Sequence, residues 1–489
     1  MKNTKKSLSL ISAILTALLV SCGDTATESK DTSSEITLAE VTTAPEYTSP
    51  GVNYDGATFT ILDYDTDEYF WHAASYSDIN AEEDNGDPIN DAQFKRNRKV
   101  EEELGIKLST YPINGVKRTN NQAELRKLVT AGDDVVDAAF IFGSEMQSSL
   151  ADSGMLIDWS DVPGIDLSDP WWDQSAIEAF SFDGKLKVLT GDISLYSTFS
   201  PDLLFFSKNL ADVYQLNDMY DLVRAGKWTN DKVNEYCRVV SSDLNGDGKM
   251  DENDRYGLGI QLSVIPYMMN SSGAKVAVHG KNGSLELSLM TEKNIDIQSR
   301  MYKFLNERDV VTLANDYYSK YSNPFYELQL PMFKNDQILF EYNQLTVAFE
   351  LRAMEADYGI LPTPKADESQ EEYMTAMSLS WGTLLCVPAT NDRLEMTGNV
   401  INALGYYSQK YVTPEFIDTT VRSKSLSDED SAEMLEIILS TKTYDVGILY
   451  NWGGITSVMC SENFVSGYAS IEEKLKTEMQ QTIDQLKES

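Results

Sequence analysis

Asp243, Asn245, Asp247, Asp251 and Asp254 occupy positions 1, 3, 5, 9 and 12 of a twelve-residue stretch whose sixth residue is Gly248. That is the register of a calcium loop. Oxygen ligands recur at alternate positions, glycine makes the tight turn, and position 7, here Lys249, offers its backbone carbonyl. Aspartate stands at position 12, where glutamate is usual. The four carboxylates repel one another unless a divalent cation lies among them. The spacing predicts a structural Ca²⁺ tying a helix that ends near Ser242 to a strand at Tyr256. The plainer alternative is a solvated acidic turn. A single copy of the loop is present.

A second chemistry belongs to the tryptophans. Sugar rings have apolar C–H faces that stack on indoles, while their hydroxyls bond to carboxylates and amides; binding pockets mix apolar walls with a few polar groups. Trp71, Trp381 and Trp452 stand where strand patterns give way to loops and are candidates for such stacking. Trp228 precedes a capped helix, where a hydrophobic staple is the expected role. Trp159 is expected to pack, and Trp171 and Trp172 fit either use. Polar candidates at strand ends are Ser144, Glu145, Asp192, Ser194, Glu341, Asn343 and Asn451. For each, the competing reading is a cap or a solvated loop residue. With only His72 and His279 in the chain, zinc catalysis and a Ser-His-Asp triad lose their basis.

The elements that must hold these groups alternate. A strand at Thr58–Leu62 precedes a helix from Pro88 to Glu103, with proline early and Gly105 as its stop signal. Ile106 to Tyr111 reads as a strand, Gln122 to Val129 as a helix and Val135 to Phe142 as a buried strand. Leu186–Thr190 reads as another strand. A second block of the same kind starts at Leu203, with a helix over Asn230–Val240, strands at Tyr256–Ile260, Ile338–Tyr342, Tyr358–Leu361 and Leu384–Val387, and a helical tail from Asp428. This alternation predicts mostly parallel sheets with helices on their faces.

The charge of −37 argues against nucleic acid and anionic lipid as partners. Cys237, Cys386 and Cys460 are far apart in apolar or helical settings and read as core residues, so no disulfide framework is expected. At the start, Lys2, Lys5 and Lys6 precede an apolar run from Leu8 to Val20. That run is shorter than the roughly 20 residues of a spanning helix, and reads as a secretory signal. Leu19-Val20-Ser21-Cys22 resembles a bacterial lipobox, which implies cleavage before Cys22 and its lipidation. The Thr-, Ser- and acid-rich stretch to Val52 reads as a flexible tether.

The order of elements resembles the carbohydrate-type extracellular solute-binding proteins of ABC importers. The resemblance is carried by Asp91–Gly105, by Asp183–Thr190 with Phe205–Leu210, by Asp357–Lys365 and by Tyr444–Trp452. It departs at lobe entry, where Phe206-Ser207-Lys208-Asn209 replaces the commoner Tyr-Asn-Lys-Asp. It implies a two-lobed, periplasmic-binding-protein-like α/β fold of type II, with three interlobe crossings and a helical C-terminal tail. The expected division is a signal peptide at 1–21, a lipidated tether at 22–52, lobe one at 53–198 plus 343–390, and lobe two at 199–342 plus 391–489. The crossings are expected near Ser197–Asp202, Glu341–Gln344 and Pro388–Asp392.

The function implied is a membrane-anchored, monomeric receptor on the extracellular face, without enzymatic activity. It would capture a saccharide between its lobes and deliver it to ABC permease subunits. The same scaffold binding a peptide or other small solute is the alternative. A secreted glycoside hydrolase working with two carboxylates is a further one, although no motif selects such a pair.

Overall fold

Asp87 opens the first long helix as the sequence predicts. Its carboxylate accepts hydrogen bonds from Ile89 N and Asn90 N, both at 3.0 Å, and Gly105 closes Pro88–Leu104 in the left-handed conformation. The computed structural model describes residues 47–64, 77–111, 121–148, 154–281, 283–351, 357–421 and 429–488. Residues Ser49–Ser489 form one unit; of Met1–Thr48 only Tyr47 and Thr48 are described. The expected signal peptide, Cys22, most of the tether and Trp71 lie outside the described residues.

Two main sheets are built from nine strands: β1 (Ala57–Leu62), β2 (Ile106–Thr110), β3 (Ala138–Phe142), β4 (Asp202–Ser207), β5 (Tyr256–Ile260), β6 (Val311–Leu313), β7 (Ile338–Gln344), β8 (Tyr358–Pro362) and β9 (Thr383–Cys386). The first sheet has the order β9-β3-β1-β2, with β9 antiparallel to β3 and the others parallel. The second has the order β8-β4-β7-β5-β6. There β4 runs antiparallel to both β8 and β7, while β5, β6 and β7 are parallel. Each sheet is the centre of one lobe, and helices cover the faces. This is the two-lobed α/β architecture expected, ending in the long helix Phe464–Glu488.

The lobe boundaries differ from expectation. The chain first passes to the second sheet from Phe199 to Asp202, where β4 begins. Strand β8, however, pairs with β4 in the second sheet, so the chain regains the first sheet only at β9. Past Gln344 there is an excursion: the helix Val347–Leu351 seats Phe349 against Phe199 and Phe416, at 5.0 and 6.1 Å between centroids. Helices Leu394–Tyr407 and Thr413–Val421 pack on Pro88–Leu104 in lobe one and not in lobe two. Pro388–Asp392 is therefore not the last passage between the lobes. Helix Glu429–Ser440 then packs on β8. Nothing in the local sequence of Leu394–Tyr407 and Thr413–Val421 says which sheet they cover.

Leu186–Thr190 forms no regular strand; a single bridge joins Leu189 to Leu385. Cys237, Cys386 and Cys460 are free thiols, the first two buried, in keeping with a packing role. Among the described residues no helix is long and apolar enough to cross a membrane.

Candidate functional site

Parallel α/β sheets bind ligands beyond the carboxyl ends of their strands, because side chains and loops there are free to face one another. At that end of β3 the chain turns through Gly143–Ser148. Gly143 N donates to Gly382 O at 3.0 Å and Ser144 N to Leu379 O at 2.8 Å. The turn holding Ser144 and Glu145 thus lies beside the Ser378–Gly382 turn that carries Trp381. At the end of β1, the Tyr64 hydroxyl reaches Glu145 Oε2 at 3.3 Å and accepts Phe142 N at 2.8 Å, which fixes the carboxylate against the sheet.

Lobe two meets this corner through the helix Ile265–Ser271, where the Tyr267 and Ser380 hydroxyls are 3.4 Å apart. The short helix Val446–Tyr450 also packs on Gly143–Ser148. Half-buried Ser144, Glu145 and Trp381 therefore converge at a junction of the lobes, with Tyr267 opposite. Of the six described tryptophans only Trp381 is not buried. An indole, a carboxylate and hydroxyls at one junction suit stacking and hydrogen bonding to a polyhydroxy ring. Tyr267 carried no sequence signal, since one tyrosine in an apolar helix reads as core.

The other candidates have different work. Ser194 is fully buried: it caps the helix Leu195–Phe199 by accepting Ser197 N at 3.1 Å, and it lies 2.5 Å from Thr383 Oγ1. Asp192 is held by Thr413 Oγ1 at 2.6 Å and Gln409 Nε2 at 3.1 Å; burial raises its carboxyl against those bonds. Asn451 takes the left-handed conformation and accepts Thr456 N at 3.0 Å, a cap. Trp452 is 2 % exposed and stacks on Tyr450 at 5.6 Å, so its faces are closed to a solute. Glu341 and Asn343 are buried on β7, 3.3 Å apart, with Glu341 pushed up to about 8 by burial. Trp159, Trp171, Trp172 and Trp228 are all core. Strand-to-loop position thus singled out Trp381, half-buried at the junction, together with residues at turns that cap or pack.

In the acidic loop, Asp243 accepts Gly246 N at 2.6 Å and Gly248 N at 2.8 Å. Asp254, fully buried, accepts Leu244 N at 2.9 Å and Asp251 N at 2.8 Å. Gly246 and Gly248 have φ of +73° and +81°, a conformation that favours glycine. Asn245, Asp247 and Asp251 accept N–H groups two residues on, at Asp247, Lys249 and Asn253. Among the described residues, no three His, Cys, Asp or Glu side chains gather so as to hold a metal.

The two sheets, the chain passages between them and the junction at their strand ends define the fold of extracellular solute-binding proteins. No family model matches the chain, and no curated protein matches its sequence. Solved structures match its fold. A sugar transporter from Rhizobium etli in an open conformation aligns at TM-score 0.56 and 13% identity, over 88% of this chain and 99% of that one. UgpB from Mycobacterium tuberculosis with glycerophosphocholine aligns at 0.55 and 16%, over 81% and 97%. A cyclo/maltodextrin-binding protein with maltotetraose aligns at 0.54 and 13%, over 88% and 97%.

Proposed function

We propose that this chain is a non-enzymatic solute-binding receptor of an ABC importer, capturing a sugar or oligosaccharide between its lobes by hinge closure. The observation that carries the reading is the junction of Ser144, Glu145 and Trp381 with Tyr267, where strand ends of one lobe face a helix of the other. The maltotetraose and sugar-transporter structures of the same fold support the saccharide class. The lipobox-like start motivates anchoring through Cys22 to the extracellular face of the membrane, with permease subunits as partners and the receptor acting as a monomer.

Thermal shift against maltotetraose and a panel of other oligosaccharides and peptides tests the reading. Stabilisation by a saccharide without release of reducing ends supports the receptor; release of reducing ends would transfer the chain to the hydrolases. A second reading, a glycerophosphodiester or other small solute in the same cleft, is favoured by the match to UgpB bound to glycerophosphocholine. Glycerophosphocholine therefore belongs in the panel.

We further propose that the loop from Asp243 to Asp254 binds Ca²⁺. Its donor set of Asp, Asn and the Lys249 carbonyl is all oxygen, which suits that ion. The ion would draw carboxylates that here cap the backbone of their own loop.

A further inference from the structure

The carbonyls of Phe199, Ser200 and Pro201, which lead the chain out of lobe one, accept hydrogen bonds from Thr346 N (3.1 Å), Ser378 N (2.9 Å) and Leu345 N (2.9 Å). Three separate passages of chain meet in this ribbon, and Asp202 is the next residue along. Its side chain is 0 % exposed. Gln344 Nε2 donates to Oδ1 at 2.7 Å, while Oδ2 has no hydrogen-bond partner among the described residues.

The groups facing it are uncharged. Strand β7 brings the Tyr342 phenol and the Gln344 amide, and the helix Ile265–Ser271 brings the Tyr267 phenol. The lobe-one turn adds the Ser378 and Ser380 hydroxyls around Tyr267. Among the described residues no lysine, arginine or histidine offsets a negative charge at Asp202. An ionised carboxylate buried without a cation is strongly disfavoured, whereas a neutral acid needs only ordinary hydrogen bonds.

We propose that closing the lobes binds one proton at Asp202: the closed ribbon accepts the neutral acid, and parting the lobes lets water reach and ionise it. Burial accordingly pushes the carboxyl up to about 8, with the Gln344 bond opposing. This rests on the hinged-receptor reading and adds a control to it. Capture by closure takes a proton from solvent, and retention weakens as the pH rises.

The test needs no solute. Spin or fluorescent labels at Lys127→Cys in lobe one and Glu235→Cys in lobe two report lobe separation. In the otherwise wild-type chain the open fraction should rise several-fold from about pH 6 to about pH 9, and Asp202→Asn should hold its acid-side value throughout. Gln344→Met removes the bond that favours the charged form, so its opening midpoint should move to higher pH. This second variant decides the matter if Asp202→Asn fails to fold. Opening that ignores pH, that rises equally in Asp202→Asn, or whose midpoint is unmoved by Gln344→Met would overturn the proton link alone. Lobes that never part under any condition would overturn the hinge with it.

Discussion

Trp452 Nε1 donates to Thr482 Oγ1 at 2.9 Å, and that bond pins the segment after Val446–Tyr450 to the C-terminal helix Phe464–Glu488. Gly453 N donates to Glu478 Oε2 at 2.6 Å one turn away. The indole is thus a structural anchor although its sequence position suggested solute stacking. Trp452→Ala should destabilise lobe two by about 3–5 kcal/mol, the usual cost of deleting a buried aromatic. Denaturant melts should register that loss. Unchanged stability with lost solute response would return Trp452 to the cleft.

Trp381 should behave in the opposite way. Its ring is half-buried on a turn whose Leu379 and Gly382 carbonyls accept Ser144 N and Gly143 N. Trp381→Ala should cost little stability while abolishing most of the thermal shift produced by a saccharide that stabilises the wild type. Glu145→Gln should weaken the same response by roughly tenfold in Kd, the scale of one charge-assisted hydrogen bond. Retention of full affinity in both variants would remove this corner from the site.

Much of the fold could be read from the chain because its cues are local. Asp87, Pro88 and Gly105 bracket a helix by backbone chemistry alone, and Ala138–Phe142 is apolar throughout because both faces are covered. What could not be read depends on contacts distant in sequence. Nothing near Tyr358 says that its strand pairs with Ser207, and nothing near Leu394 says that its helix rests on Pro88–Leu104. The site shows the same division. A tryptophan at a strand-to-loop pattern is visible in the sequence, but that Trp452 follows a helix, stacks on Tyr450 and bonds to Thr482 is not.

Calcium should raise the melting temperature, and a chelator should lower it. Asp243 begins the loop and is held below the usual carboxylate range by the N–H groups of Gly248 and Gly246. It is therefore ionised and available to an ion at neutral pH. Asp243→Asn and Asp251→Asn together should erase the chelator effect by calorimetry while leaving the calcium-free melting temperature nearly unchanged. A calcium-independent melt of the wild type would leave the loop as an acidic turn.

Glu341 gives folding stability a pH dependence of its own. It lies opposite Gly259 of β5, where a Cβ would come within 2.3 Å of Oε2, so the glycine makes room for the carboxyl. Oε2 has no partner among the described residues, and burial pushes the group up to about 8 against an unfolded value of about 4.3. The unfolded chain therefore sheds this proton first as the pH rises. The stability tied to the neutral acid is complete below about pH 4 and declines toward about pH 8, by at most about 1.4 kcal/mol per pH unit. Glu341→Gln keeps the shape and removes the proton. Denaturant titration should find this variant gaining on the wild type between about pH 5 and about pH 8. A constant difference across that range would mean that water reaches the carboxyl in the folded state, and that Gly259 leaves open a path the packed sheet does not show.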